Sequence, residues 1–334
     1  MPTCAYALYL GRLSPNSRKS IQSQLNMIGK TLQWPVIEIP ARLQQIDYQS
    51  AMQCRSLMVS AGYAARSINR AMVSLKGLLK VSALLGNIDQ IQLLQIQSIP
   101  NLKHGEHRGS PLTAEQAVTL LNLLKSARTV LEIRNSAMVA VLLGTGLRRS
   151  EIVSLRLQDF DPVENTLFVA KGKGNKSRPV FIPLWTLQFL RIWLDIRGNS
   201  DGYLFCSLPS QFNQVPKNES SRCQLDASKG RLLANLRVVQ KVNHLDTASA
   251  LDGSTVYRIV RKITAAVGLS DVSPHDFRRT FITRLLELNV DINTVRQMAG
   301  HANIATTSMY DKRTDKMMRQ AVKNLSFDDK ERER

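Results

Sequence analysis

The stretch from Pro274 to Tyr310, PHDFRRTFITRLLELNVDINTVRQMAGHANIATTSMY, constrains this chain more tightly than any other part of it. His275 and Arg278 stand three apart at the start of a helical pattern carried by Phe277, Phe281 and Leu285. Their side chains therefore share one face and can converge on one anion. Asp291 is placed to N-cap, and Gly300 to C-cap, a second helix lined by Ile292, Val295 and Met298. That arrangement delivers His301 just beyond a helix end, and Tyr310 follows nine residues later. The spacing suits a site that grips a phosphate.

Charge agrees with that reading. The 334 residues carry 45 Lys+Arg against 26 Asp+Glu, a formal charge of +19 with a pI near 10.1. Such a balance suits a polyanionic partner, nucleic acid first. A membrane surface is the competing partner, but the chain has no apolar run of about eighteen residues or more. The opening CAYALYL is apolar yet short, with no basic segment before it and no convincing cleavage site, which argues against a secretory signal. A cytoplasmic, nucleoid-associated protein is expected. Cys4, Cys54, Cys206 and Cys223 lie far apart with no C-x-x-C pair, so reduced thiols are expected, and neither a metal site nor a cofactor.

Along the chain, Ser14-Pro15 opens a helix with Ile21, Leu25, Ile28 and Leu32 at helical spacing, ending before Trp34-Pro35. An extended VIEIP segment precedes helices from about 47 to 60 and from about 65 to 85, the latter broken at Gly86. Ile68, Met72, Leu75 and Leu79 face inward on that last helix, leaving Arg66, Arg70, Lys76 and Lys80 on its other positions. Residues 1–100 hold ten Lys+Arg against three Asp+Glu, a basic first domain. NLKHGEHRGSPL at 101–112 reads as a linker, with His104 and His107 as solvated side chains rather than metal ligands. Thr113 and Gln116 form a capping box for the next helix, and a long apolar helix from about 132 to 143 runs into GTGLRRSEI, where Ser150 can cap a new one. Thr166–Ala170 and Ser177–Leu184 read as strands joined through KGKGNK, followed by a helix at about 184–196. Residues 206–253 are polar and long for a connection. Helical pattern resumes at Val256 and returns after Tyr310 with Met317, Ala321 and Leu325, ahead of the tail DDKERER.

His275-x-x-Arg278, Gly300-His301 and Tyr310 together resemble the C-terminal signature of the tyrosine recombinases, the phage integrase family. GLRRSE, from Gly146 to Glu151, resembles that family's G-L-R-x-S-E, and GKGNKSR, from Gly172 to Arg178, resembles its basic β-hairpin. The resemblance implies the catalytic set Arg148, Lys173, His275, Arg278, His301 and Tyr310, with Glu151 in support. It implies DNA contacts at Arg66, Arg70, Lys76 and Lys80 in the first domain and at Lys176, Arg178 and Arg279 in the second. Departures are small: Phe277 stands where leucine is common, Arg279 where many members have histidine, and Ala299 where leucine usually precedes Gly-His. The implied fold is two-domain. An all-α, SAM-like core-binding bundle spans 1–104. After a linker at 105–112, a mixed, mainly α catalytic domain with a small antiparallel β-sheet spans 113–326, with an insertion around 206–253 and a charged tail at 327–334. The implied partner is double-stranded DNA, clamped between the domains by a homotetramer that pairs two sites and exchanges C-terminal tails. Accessory DNA-bending or directionality factors are left open.

The chemistry follows from the residue types. A phosphodiester under attack gathers negative charge on its non-bridging oxygens, so fixed cations are needed there. Guanidinium suits that task, because its planar fork donates two hydrogen bonds and keeps its charge near neutral pH. A phenol is a weak nucleophile at neutral pH and gains from a positive surrounding field. Lys173 is the candidate acid for the leaving 5′ oxygen, while His275 and His301 can donate to the phosphate or handle the tyrosine's proton. The expected activity is site-specific cutting and rejoining of duplex DNA through a 3′-phosphotyrosyl link and a Holliday junction, without metal or ATP. The alternatives are type IB topoisomerase-like activity and a non-catalytic DNA-binding regulator of the same fold.

Overall fold

Three apolar clusters, drawn from Ala5 to Ile99, from Leu112 to Phe277 and from Ile282 to Tyr310, account for the architecture in the computed structural model. The structure describes residues 4–103, 105, 109–169, 177–208, 224–225, 232–233, 247–311 and 322. The chain divides into units at residues 1–107 and 108–334. Lys173 and Lys176, His104 and His107, Cys223, most of the 206–253 insertion and the Met317–Leu325 helix lie outside the described residues.

The first unit is helical throughout its described residues: α1 (Ala5–Gly11), α2 (Pro15–Thr31), α3 (Ile39–Leu43), α4 (Tyr48–Ser60), α5 (Ala65–Leu84) and α6 (Gln90–Ser98). Ser14 caps α2 by accepting from Ser17 N, with Pro15 at the first position, where no N–H is required. Asp47 and Asp89 cap α4 and α6 in the same way. The central α5 buries Ile68, Met72, Leu75, Leu78 and Leu79 completely or nearly so, and α1, α2, α4 and α6 pack around it. One local expectation fails here. VIEIP is not extended: Val36–Glu38 form a 3₁₀ turn that runs into α3. Pro40 sits in the first turn of α3, which tolerates it, and Ile39 and Leu43 gain burial in the core.

In the second unit, capping boxes open α7 (Ala114–Lys125), through Thr113 and Gln116, and α8 (Val130–Thr145), through Thr129 and Glu132. From Ser136 onward helix α8 is almost wholly apolar and correspondingly buried, packed by α7, by α10 (Leu184–Arg197) and by α12 (Pro274–Glu287). It ends at Gly146, whose φ of +63° suits glycine, and α9 (Arg149–Ser154) starts at once. The cap position of α9 is Arg148, not Ser150, because the Glu151 carboxylate accepts from Arg148 N at 2.8 Å. A small antiparallel sheet follows in the order β1 (Phe160–Asp161), β2 (Thr166–Val169) and β3 (Arg178–Phe181). Leu167, Val169 and Val180 face the core, and Pro179 is accommodated on the edge strand β3. Beyond the two-residue pair Gln224–Leu225 with Leu232–Leu233 come α11 (Gly253–Ala265), α12, α13 (Ile292–Ala299) and α14 (Ile304–Ser308). Among the described residues, no helix is long and apolar enough to cross a membrane.

Candidate active site

A helix break and a β-strand meet at a single buried carboxylate. Glu151, in the first turn of α9, is 2 % exposed and accepts four hydrogen bonds. Arg148 donates to it from Nη1 at 2.7 Å and from its own backbone N at 2.8 Å; Arg178, entering from β3, donates from Nη1 and Nη2 at 3.0 Å each. Burial alone would raise this carboxyl, but the hydrogen bonds from Arg178 and Arg148 outweigh it and hold it at about 2. Glu151 is thus a fixed anion that orients two guanidinium groups at once.

The other anchors are backbone carbonyls. Arg148 donates from Nη2 to Gly300 O at 2.6 Å, and Arg278 donates from Nη1 to Gly146 O at 2.7 Å and from Nη2 to Ala299 O. Consecutive carbonyls at the C-terminal end of α13 therefore hold both arginines, where the helix dipole favours cations. Arg278 is 2 % exposed; burial and then the neighbouring Arg148 lower its pKa to about 10, which leaves it charged at neutral pH. Glycine is required at position 300, where φ is +65° and an added Cβ would lie 2.8 Å from Arg178 Cζ.

His301 follows directly and is buried, its Nδ1 at 2.9 Å from Thr307 Oγ1. Burial first, then Arg278, Arg148, His275 and Arg178, lower its pKa to about 4. It is neutral at pH 7, with one ring nitrogen a donor and the other an acceptor. His275 lies exposed on the first turn of α12 and contributes to that positive field. Tyr310, just past α14, is 7 % exposed and packs with Ile282, Leu286, Val295 and Ala299. Its ring stacks on His301 with centroids 6.2 Å apart and planes 20° apart. Arg148, Arg278, His301 and Tyr310 are brought together, with Glu151 behind them.

Three residues expected to contact DNA have their head groups bonded within the protein. Arg178 is 12 % exposed and, besides Glu151, donates from Nε to Met298 O at 3.3 Å, so its guanidinium braces the site from behind. Arg279 is 18 % exposed and turns toward Gly109 O and the Tyr310 ring. Lys76 donates from Nζ to Gln97 O and Ile99 O at 3.0 and 2.6 Å, closing the end of α6, and burial followed by Arg55 lowers its pKa. In each case carbonyl groups distant in sequence claim the cation. Arg66, Arg70 and Lys80 are exposed on α5, and Arg70 lines an open groove of about 620 Å³ with Lys19, Lys30 and Tyr63. Thr307 and the carbonyls of Gly146, Ala299 and Gly300 went unnoticed in the sequence, since their roles come from contacts rather than residue type. No cluster of His, Cys, Asp and Glu among the described residues could hold a metal ion.

The "Phage integrase family" model matches residues 110–317. Among curated relatives, tyrosine recombinase XerA of Pyrococcus furiosus is 27 % identical over 279 residues, covering 84 % of this chain and 81 % of the relative. Tyrosine recombinase XerC of Treponema denticola is 31 % identical over 248 residues, covering 74 % and 73 %. Among solved structures, the Tn1549 transposon integrase in complex with circular intermediate DNA superposes with a TM-score of 0.62 at 17 % identity, covering 95 % of this chain and 97 % of that one. A lambda integrase dimer bound to a core site gives 0.62 at 16 % identity, covering 90 % of each.

Proposed function

This chain belongs to the phage integrase family of site-specific DNA recombinases, and from that premise we propose how its residues carry the reaction. Duplex DNA is the substrate. Arg148 and Arg278 receive the non-bridging oxygens of the scissile phosphate and stabilise the charge that builds there. Their direction is set in advance by Glu151 and by the carbonyls of Gly146, Ala299 and Gly300, so little reorganisation accompanies the attack. That pair of arginines on consecutive carbonyls, directly beside His301 and Tyr310, is the observation that carries the reading.

The Tyr310 hydroxyl oxygen attacks phosphorus, loses its proton, and displaces the 5′ oxygen, giving a 3′-phosphotyrosyl link. Lys173 supplies the proton for the departing 5′ hydroxyl. His301, neutral at pH 7, serves as a hydrogen-bond partner and proton acceptor rather than as a fixed cation. The covalent link keeps the phosphodiester's energy, so a 5′ hydroxyl from a second strand reverses the step with neither metal nor ATP. Exchange of both strands passes through a Holliday junction, in a homotetramer that pairs two sites and trades C-terminal tails. The first unit supplies phosphate contacts through Arg66, Arg70 and Lys80. The protein acts on DNA of the nucleoid.

The test is covalent capture. Cells expressing the chain or its Tyr310→Phe variant are denatured, protein-linked DNA is recovered, and its ends are sequenced. Wild type yields DNA joined at a recurring sequence and the variant none. Binding by both proteins without a link from either would replace this reading with that of a regulator.

A further inference from the structure

Arg279 stands where the sequence suggested a DNA contact, yet its side chain turns inward. Its guanidinium carbon lies 5.5 Å from the centroid of the Tyr310 ring, within cation–π range. Nη1 donates to Gly109 O at 2.6 Å, which ties this head group to the segment that enters the second unit. The same segment is fixed a second time along α12, where Leu112 N donates to Thr280 Oγ1 at 2.8 Å and the Leu112 side chain is buried in the core.

The remaining contact is loose. Arg279 Nε and Asp276 Oδ1 lie 4.0 Å apart, and neither has a hydrogen-bond partner among the described residues. Asp276 is committed elsewhere: its Oδ2 accepts from Ser273 N and Oγ at 3.0 and 2.6 Å and so caps α12. The Asp276 carboxylate therefore does not fix the guanidinium; the Gly109 carbonyl and the Tyr310 ring do. Reciprocally, the ring is held by Arg279 and by the stacked His301. His301 is itself fixed through Thr307 and through its carbonyl, which accepts from Arg296 Nη1 at 3.2 Å.

We propose that Arg279 is a positioning residue for the nucleophile: it holds the Tyr310 ring at its angle of attack and links that angle to the 109–112 segment. This deepens the recombinase reading and rests on it. Arg279 neither touches the phosphate nor transfers a proton. Its effect is on the geometry of the attacking oxygen, where a misplacement of about 1 Å lowers a rate by about 100-fold.

The experiment uses the full chain and a duplex carrying the sequence recovered by covalent capture, with Arg279→Gln and Arg279→Lys beside wild type. Three quantities are read: DNA affinity, the single-turnover rate of covalent complex formation, and that rate on a duplex whose bridging 5′ oxygen is replaced by sulfur. Sulfur leaves without a proton, so it repairs a defect in leaving-group protonation and not a misplaced nucleophile. The proposal predicts affinity within about twofold of wild type, a rate lowered about 100-fold in Arg279→Gln with no recovery on the sulfur duplex, and partial recovery in Arg279→Lys, which keeps the cation. An unchanged rate overturns it, as does lost affinity with a normal rate, which restores the DNA-contact reading. Rescue by sulfur also overturns it. If Arg279→Gln does not fold, Arg279→Lys carries the test, with a rate equal to wild type counting against the proposal. Failure of wild type itself to link DNA strikes the recombinase reading instead, which keeps the two apart.

Discussion

At the scale of single residues, the site is built from guanidinium groups held by specific acceptors. Lysine keeps the charge at Arg148 or Arg278 but not the fork that reaches Glu151, Gly300, Gly146 and Ala299. Arg148→Lys and Arg278→Lys are each expected to slow covalent complex formation by about 100- to 1,000-fold, the usual loss on removing a transition-state donor, with DNA affinity nearly kept. Single-turnover kinetics beside a binding titration separates the two effects. Two buried groups set the response to acid. His301 has a folded pKa of about 4 against an ordinary 6.5, so the stability it contributes is complete above 6.5 and is lost as pH falls through 4. Glu151 has a folded pKa of about 2 against 4.5, so its contribution is complete above 4.5 and is lost as pH falls through 2. Urea unfolding across this range is expected to weaken in two steps, with His301→Asn removing the upper one. The spacing, with the family resemblance it carries, pointed to Arg278, His301 and Tyr310, because they belong to one short run. The inward turn of Arg178 and Arg279 was not legible, since Met298 and Gly109 lie 120 and 170 positions away.

Among the elements, the C-terminal end of α13 matters most, because its last carbonyls orient both arginines. Gly300→Ala combines a left-handed backbone with a collision at Arg178, whereas Gly86→Ala, at φ +73°, meets nothing within 4 Å. Backbone strain of about 1 kcal/mol is expected at both positions. Only Gly300→Ala is expected to lose substantially more stability and to reduce covalent complex formation, which denaturant titration and single-turnover kinetics would compare. Helix α5 divides differently, into exposed cations and one structural cation. Arg66→Ala, Arg70→Ala and Lys80→Ala are each expected to reduce the slope of log affinity against log salt by about 0.9. Lys76→Ala is expected to leave that slope alone and to lower the stability of the first unit, through the lost bonds to Gln97 and Ile99. Helix caps at Ser14, Thr113 and Asp291 were legible from side-chain chemistry. The VIEIP turn was not, because burial of Ile39 and Leu43 overrides what proline suggests locally. Nor were α1 and α6 noticed, two short helices completed by packing against α5.

Across the whole molecule, a charge of +19 and a cluster of preset arginines both suit a polyanionic substrate. On the proposed reading, overall charge draws DNA to the surface without regard to sequence, and Arg148 and Arg278 are expected to act on one phosphate once it arrives. The charge was legible in the composition, and the clustering of Arg148 and Arg278 beside His301 and Tyr310 was expected from the resemblance that the motifs carry. The convergence of Glu151, Arg178 and α13 was not, because it depends on elements far apart in the chain meeting at one carboxylate. The central claim is that Tyr310 becomes joined to the 3′ side of a cut strand. Its most direct measurement is to digest the captured protein–DNA complex with protease and identify by mass spectrometry the peptide that carries the nucleotide, while the opposite DNA end is tested for kinase labelling. The account predicts a phosphodiester bond on Tyr310 and a 5′ hydroxyl end that accepts label without prior phosphatase treatment. A nucleotide on any other residue, or a 5′ phosphate at the cut, would contradict it.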